Sequence, residues 1–126
     1  MLDAQKVVAF LATTDGARAT RFYGGTLGLH LRYDDDFAVV FEAGNVELRI
    51  QKVERFTPQP FTVLGWQVSD VVAVVTALAS SAVEVERYPW LAQDERGVWP
   101  APSGARVAWF KDPDGNLLSV AQYPAS

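Results

Sequence analysis

The chain has 126 residues, 49% of them hydrophobic, with 11 Lys and Arg against 15 Asp and Glu, a formal net charge of −4. This length and composition predict one folded domain with an apolar core, and the acidic balance argues against nucleic acid as a partner. The absence of cysteine and the single histidine, His30, exclude disulfide scaffolds, thiolate metal sites and chemistry that needs two histidines from this chain.

The sequence gives no signal for membrane insertion or secretion. Its longest apolar stretch, residues 71–79, is shorter than the ~20 residues that span a bilayer. The first residues include Asp3, where a secretory signal would carry positive charge. We therefore expect a cytoplasmic protein without a membrane partner.

The first half of the chain predicts the order β-α-β-β-β. Residues 7–12 form an apolar run typical of a buried strand, and Asp15 follows as a helix N-cap. The helix is expected to extend to about residue 27 and to end at Gly28. Further strands are predicted over residues 29–33, 37–42 and 46–53.

The second half repeats this order after a proline-bearing connector at residues 57–60. Residues 61–68 predict a strand, Asp70 predicts a helix N-cap, and apolar residues at i, i+3, i+4 and i+7 from Val71 predict a helix. Further strands are predicted over residues 83–88, 106–111 and 117–123. We interpret the chain as a single domain made of two modules, residues 1–57 and 61–126.

The second module contains an insertion over residues 89–104. Aligning the caps Asp15 and Asp70 gives an offset of 70 − 15 = 55, whereas aligning Phe37 with Arg106 gives 106 − 37 = 69. The extra residues are rich in Pro, Gly and Trp, a composition typical of a functional loop. We expect the loop, with its two indoles Trp90 and Trp99, to close over a ligand or a partner subunit.

This duplicated order, together with two local motifs, resembles the vicinal oxygen chelate superfamily, which includes glyoxalases, bleomycin-resistance proteins and extradiol dioxygenases. The motifs are Arg21-Phe22-Tyr23 with Thr26-Leu27-Gly28-Leu29, and Asp112-Pro113-Asp114-Gly115-Asn116. The resemblance covers essentially the whole chain. It implies an α+β fold in which two tandem βαβββ modules form an open barrel-like curved mixed sheet with helices on the convex side. It also implies a homodimer.

The resemblance also identifies four positions that hold a metal ion in the metal-dependent members. Carried over to this sequence, they fall on Val8, Glu47, Leu64 and Ser119. Only Glu47 is a good ligand, and a metal site needs several converging nitrogen or oxygen donors. We therefore expect no metal and no other cofactor, which excludes metal-dependent glyoxalase and dioxygenase chemistry.

Strand alternation then predicts which side chains line the concave face. Phe10, Trp66 and Trp109 are expected to face the same cavity as Ser119. On the fourth strand, Glu47, Arg49 and Gln51 alternate with Val46, Leu48 and Ile50, and the polar set is expected to face the cavity. The sequence thus predicts an apolar, aromatic pocket with one polar wall.

Each of these residues has a simpler alternative interpretation. Trp66 and Trp109 are equally compatible with ordinary core packing, because large aromatic side chains are common in cores. Glu47 and Arg49 are equally compatible with a solvated ion pair on a sheet, which would contribute under ~1 kcal/mol.

The function that the sequence favours is binding of a small organic ligand, apolar or aromatic, without a metal. Sequestration of such a compound, as in antibiotic resistance of the bleomycin-resistance type, is the most concrete role. The ligand-binding residues would be Phe10, Glu47, Arg49, Trp66, Trp90, Trp99, Trp109 and Ser119. The alternative is a metal-independent lyase or isomerase in which Glu47 acts as the base.

Overall fold

The computed structural model describes residues 1–125 and divides them into two compact units, Met1–Pro58 and a second unit that begins at Gln59. Each unit contains one four-stranded mixed sheet and one main helix. The predicted α+β class and the two successive modules are therefore confirmed. No helix among the described residues is both long enough and apolar enough to cross a membrane.

The first unit follows the predicted order of elements. These are β1 (Val8–Thr13), α1 (Gly16–Thr20) with a π-helical continuation (Arg21–Thr26), β2 (His30–Asp34), β3 (Ala38–Ala43) and β4 (Val46–Lys52). The sheet order is β1-β4-β3-β2, with β1 parallel to β4 and the other pairs antiparallel. We call this sheet 1.

The helix of the first unit starts as predicted and ends differently. The Asp15 carboxylate accepts the Arg18 backbone N–H at 3.0 Å, which confirms the N-cap. The expected regular helix to residue 27 is replaced from Arg21 by a π-helix, in which the Leu27 N–H donates to the Phe22 carbonyl. Gly24 and Gly25 lie in this segment, where their low helix propensity favours a departure from regular geometry.

The second unit contains β5 (Thr62–Gln67), α2 (Val71–Ser80), β6 (Trp99–Pro100), β7 (Arg106–Lys111) and β8 (Leu117–Gln122). Sheet 2 has the order β5-β8-β7-β6, again with one parallel pair, β5 and β8. Asp70 caps α2 through the Ala73 N–H at 3.1 Å. The helix buries Val71, Val75 and Leu78, as its apolar spacing predicts.

The edge strand of sheet 2 corrects the prediction for residues 83–88. This segment forms no extended strand: Val85 makes a single antiparallel bridge to Phe110. The edge is instead completed from within the insertion, where Trp99 pairs with Val107 and Pro100 with Arg106. Two short segments thus share the edge of β7, so the insertion is partly a structural element.

Candidate functional site

Sheet 1 has one buried face and one face that carries polar side chains. Leu48 and Ile50 are fully buried, whereas Glu47 and Arg49, which alternate with them on β4, lie on the other face. Phe10 is the ladder neighbour of Arg49 and is 56% exposed. The structure therefore brings Phe10, Glu47 and Arg49 to one face, as the alternation predicts.

Arg49 is held in place on this face by a neighbour that the sequence analysis missed. Its Nη1 donates to the Tyr33 hydroxyl at 2.7 Å and lies 3.8 Å from the Glu47 carboxylate. The hydrogen bond with Tyr33 is the main cause that raises the pKa of Arg49. The Arg49 and Glu47 side chains are 25% and 24% exposed, so the pair is accessible to a ligand and partly screened by solvent.

Sheet 2 likewise has a helix-side face and an open face. The helix-side face carries the buried residues Ala108, Phe110, Leu118 and Val120. On the open face, Trp109 pairs with Ser119 across the β7–β8 ladder, and Gly65 pairs with Ser119 across the β5–β8 ladder. These residues form one row across the sheet, and all are at least partly accessible.

Four aromatic side chains of the second unit form a continuous cluster around Trp109. Trp99 lies 5.9 Å from the Trp109 ring, Tyr88 meets Trp109 edge to face at 5.6 Å, and Trp90 lies 5.1 Å from Tyr88. These separations fall in the favourable range for aromatic pairs. We call these residues, Tyr88, Trp90, Trp99 and Trp109, the aromatic cluster.

Polar contacts fix the centre of the cluster. The Trp109 indole N–H donates to the Thr62 hydroxyl at 3.1 Å, which satisfies its only donor. Burial, followed by the nearby Glu86 carboxylate, raises the pKa of Tyr88. The indole of Trp109 and the neutral phenol of Tyr88 thus present mainly apolar ring surface.

Trp66 is the predicted site residue that the structure places elsewhere. It pairs with Val120 and therefore lies on the helix-side face, opposite Trp109 and Ser119. A β-bulge between Thr62 and Leu64 adds one residue to β5, and a shift of one residue moves every following side chain to the other face. Without the bulge, Leu64 would pair with Ser119, and Trp66 would lie on the same face as Ser119, as the alternation predicts.

The loop with Trp90 and Trp99 is more ordered than its composition suggests. Trp99 belongs to β6, whereas Trp90 is 75% exposed and contacts Tyr88. Gln93 closes the loop: its side chain accepts the Tyr88 N–H and donates to the carbonyls of Glu86 and Gly97. A ligand at the cluster would therefore meet a preorganised surface.

Asp94 and Arg87 add further contacts within the loop. Burial acts to raise the pKa of Asp94, but hydrogen bonds from the Val98 and Arg96 N–H groups outweigh it and lower that pKa. Arg87 donates to the Asp94 and Glu95 carbonyls at 2.9 and 2.6 Å. These contacts connect the middle of the loop to the residue that precedes Tyr88.

The four positions implied for a metal ion do not fit one. Val8 pairs with Glu47 in sheet 1, and the residue opposite Ser119 in sheet 2 is Gly65, whereas Leu64 pairs with Leu118. Whether Leu64 or Gly65 is counted, the set contains one carboxylate, one hydroxyl and two side chains without a donor. Within residues 1–125, no group of three His, Cys, Asp or Glu side chains could hold a metal ion.

A cavity of about 790 Å³ lies elsewhere in the second unit, between α2 and the loop. It is lined by Val75, Ala79, Val83, Arg87 and Arg96, among others, and by none of the predicted site residues. Arg87 is occupied by backbone carbonyls, and Arg96 lies 3.3 Å from the Glu95 carboxylate. Both arginines of this cavity are therefore already engaged, and Glu84 is the other charged residue of its lining besides Glu95.

Three residues near the cluster were missed from the sequence. Thr62 contacts Trp109 across 47 residues of chain, a pairing that no local pattern reveals. Gly65 reaches the open face only because of the bulge in β5. Tyr88 could have been found, because it lies two residues before Trp90 at the start of the insertion.

Comparison with known proteins identifies the family of the chain. Residues 6–120 match the family model described as Glyoxalase/Bleomycin resistance protein/Dioxygenase superfamily, and the chain belongs to this superfamily. No curated protein matches the chain significantly in sequence. The expected resemblance is therefore confirmed at the level of the family.

Solved structures share the fold at low sequence identity. A glyoxalase family protein from Bacillus anthracis has a TM-score of 0.76 at 19% identity, covering 94% of both chains. TnmS3, an antibiotic binding protein from a Streptomyces species, has a TM-score of 0.72 at 22% identity, covering 98% of this chain and 99% of that one. Lactoylglutathione lyase from Agrobacterium tumefaciens has a TM-score of 0.73 at 17% identity, covering 94% and 93%.

Proposed function

We propose that this protein binds a small aromatic organic molecule on the open face of sheet 2 and sequesters it without a metal ion. The observation that carries this proposal is the aromatic cluster, in which Trp109 contacts both Trp99 and Tyr88 and lies beside the partly exposed residue Ser119. Apolar and aromatic walls with few polar groups are typical of small-molecule sites. The similarity in fold to an antibiotic binding protein is consistent with such a role.

Naphthalene is a suitable first probe, because it offers a flat aromatic surface without a polar group. Binding would be followed through the indole N–H signals of the four tryptophans in ¹⁵N NMR spectra. We expect shifts at Trp109 and Trp99 and a smaller shift at Trp66, which lies on the opposite face.

Trp109→Ala should weaken naphthalene binding by about 1–3 kcal/mol, the range for burying a large apolar side chain. Trp66→Phe is the control, since it also removes an indole from sheet 2 but on the helix-side face. Equal effects of the two substitutions, or no shift at Trp109 in the wild-type protein, would contradict the proposal.

A second function is favoured by the Glu47–Arg49 pair. A partly accessible carboxylate next to a guanidinium is an arrangement suited to proton transfer on a bound substrate. Under this alternative the protein is a metal-independent lyase or isomerase with Glu47 as its base.

Glu47→Gln separates the two functions, because it removes the charge and nearly preserves the shape. If the protein only binds its ligand, Glu47→Gln should change the affinity only modestly. An enzyme should keep its affinity and lose roughly 10²–10⁴-fold in rate. The measurement is turnover and affinity for any compound found to bind, in wild-type protein and in Glu47→Gln.

A further inference from the structure

The two modules carry different side chains at equivalent positions: Gly65 and Ser119 in the second module correspond to Phe10 and Arg49 in the first. Phe10 lies five residues before the cap Asp15, and Gly65 lies five residues before the cap Asp70. In sheet 1 the row reads Phe10, Arg49, Val40, and in sheet 2 it reads Gly65, Ser119, Trp109. The second module therefore has a glycine where the first has a large side chain.

The glycine leaves room above the Ser119 hydroxyl. A Cβ atom at Gly65 would lie 2.5 Å from Ser119 Oγ, closer than any real contact permits. Glycine inside a strand costs stability and often marks a place where another group approaches the backbone closely. Here the side of Ser119 that faces β5 is open.

The hydroxyl has no hydrogen-bond partner among residues 1–125. Ser119 is partly exposed and lies in the same row as Trp109, whose own N–H is already bound to Thr62. A polar atom of a ligand near this point would therefore pair with Ser119, because the indole has no free donor to offer.

We infer that Gly65 and Ser119 form a polar notch that takes an oxygen substituent, a hydroxyl or a carbonyl, of an aromatic ligand whose ring contacts Trp109. This inference rests on the proposed function and names the class of ligand: aromatic compounds with an oxygen at one end. Serine both donates and accepts, so either substituent satisfies it. Gly65 then determines specificity through the space that it leaves.

The test compares 2-naphthol with naphthalene, which differ by one hydroxyl group. Dissociation constants would be measured by ¹⁵N NMR titration of the wild-type protein, Ser119→Ala and Gly65→Ala. Removing one hydrogen bond corresponds to about 2–10-fold in affinity. Ser119→Ala should weaken the binding of 2-naphthol by that factor and leave the affinity for naphthalene unchanged. Gly65→Ala should likewise reduce the ratio of the affinity for 2-naphthol to that for naphthalene.

Two matched variants serve as controls. Ser81→Ala removes a serine hydroxyl at the end of α2, and Gly25→Ala adds a methyl group at a glycine with open space around it. Both should leave the affinities for 2-naphthol and naphthalene unchanged. If Gly65→Ala disturbs the fold, the double variant Gly65→Ala/Ser119→Ala removes the close contact and should bind both probes equally.

The outcomes separate the inference from the proposed function. If both probes shift the Trp109 indole signal but Ser119→Ala does not change the preference for 2-naphthol, the inference about Gly65 and Ser119 is wrong. The proposed aromatic binding site is then still supported. If neither probe shifts Trp109 in the wild-type protein, both proposals are overturned.

Discussion

Tyr88 connects the insertion to Trp109 and is the residue whose ionisation the fold opposes. Burial first, and the Glu86 carboxylate second, raise the pKa of this phenol. An unfolded tyrosine ionises near pH ~10, so in a window above that pH the native chain keeps a proton that the unfolded chain loses. Stability from this group is complete below the unfolded pKa and falls as pH rises through the native pKa.

The substitution Tyr88→Phe tests whether the raised pKa of this phenol makes stability depend on pH. Between about pH 9 and about pH 11, the wild-type protein should lose more unfolding free energy than the variant, because the variant has no group to ionise there. The measurement is urea unfolding at both pH values, with Tyr123→Phe as a control at an exposed tyrosine. Equal losses in wild type and Tyr88→Phe would show that the environment of Tyr88 is not as described.

Gln93 is a single side chain on which the geometry of the loop depends. Its amide makes three hydrogen bonds of 2.8–2.9 Å to backbone groups of Tyr88, Glu86 and Gly97. Gln93→Ala should destabilise the protein by about 1–3 kcal/mol, the cost of leaving partly buried backbone groups unpaired. Gln59→Ala, at an exposed glutamine, should change the unfolding free energy far less. Urea unfolding of the two variants makes the comparison, and similar losses would contradict the assigned role.

At the level of elements, the sequence predicts strands and helices well but predicts side-chain faces only where the ladders are regular. The alternation of β4 correctly separates Leu48 from Glu47, because β1, β3 and β4 pair without interruption. The same reasoning fails for Trp66, because a one-residue bulge in β5 has no clear signature in a run of apolar residues. The predicted side-chain facing thus agrees with the structure in sheet 1 and fails for Trp66 in sheet 2.

The prediction of a strand over residues 83–88, at the edge of β7, fails for a different reason. Residues 83–88 alternate like a strand, but the insertion supplies its own short strand to the same edge, a choice made by tertiary pairing. Gly97 makes the required turn with a φ of +88°, and a Cβ there would lie 2.6 Å from Val85. The absence of a side chain at Gly97 therefore allows the two segments that share the edge of β7 to approach each other closely.

Gly97→Ala should destabilise the second unit by at least ~1–2 kcal/mol, the cost of a left-handed conformation for a residue with a Cβ, plus the contact with Val85. Adding Val85→Ala should remove only the contact, so part of the loss should remain relative to Val85→Ala alone. Unfolding free energies of the four proteins in this cycle give both contributions. Gly25→Ala, which meets open space in a helical segment, is the control and should not lower the unfolding free energy. An unchanged stability of Gly97→Ala would contradict the described turn.

At the level of the whole molecule, each sheet leaves two edge strands whose outer side meets no other strand among residues 1–125. Edge strands are usually protected by charge, bulges or short length. β2 contains Arg32 and a bulge, β5 contains a bulge, and β6 has two residues. β1, with the sequence Val-Ala-Phe-Leu-Ala-Thr, has no charge and pairs regularly with β4.

We propose that β1 forms the interface of a homodimer. An unprotected strand of this kind, which also contains the exposed side chain of Phe10, favours pairing with a second copy of the chain. Light scattering at micromolar concentration should then give twice the chain mass of 13.8 kDa. Val8→Lys places a charge on this edge and should reduce the mass to that of a single chain.

Val63→Lys is the matched control for this prediction. Val8 and Val63 are 39% and 38% exposed, each on an edge strand, so the two substitutions add the same charge at equal exposure. They differ in that Val63 lies at the bulge of β5, where strand pairing is already interrupted. Val63→Lys should therefore keep the doubled mass. A wild-type protein of 13.8 kDa, or dissociation by Val63→Lys but not by Val8→Lys, would show that β1 is not the interface.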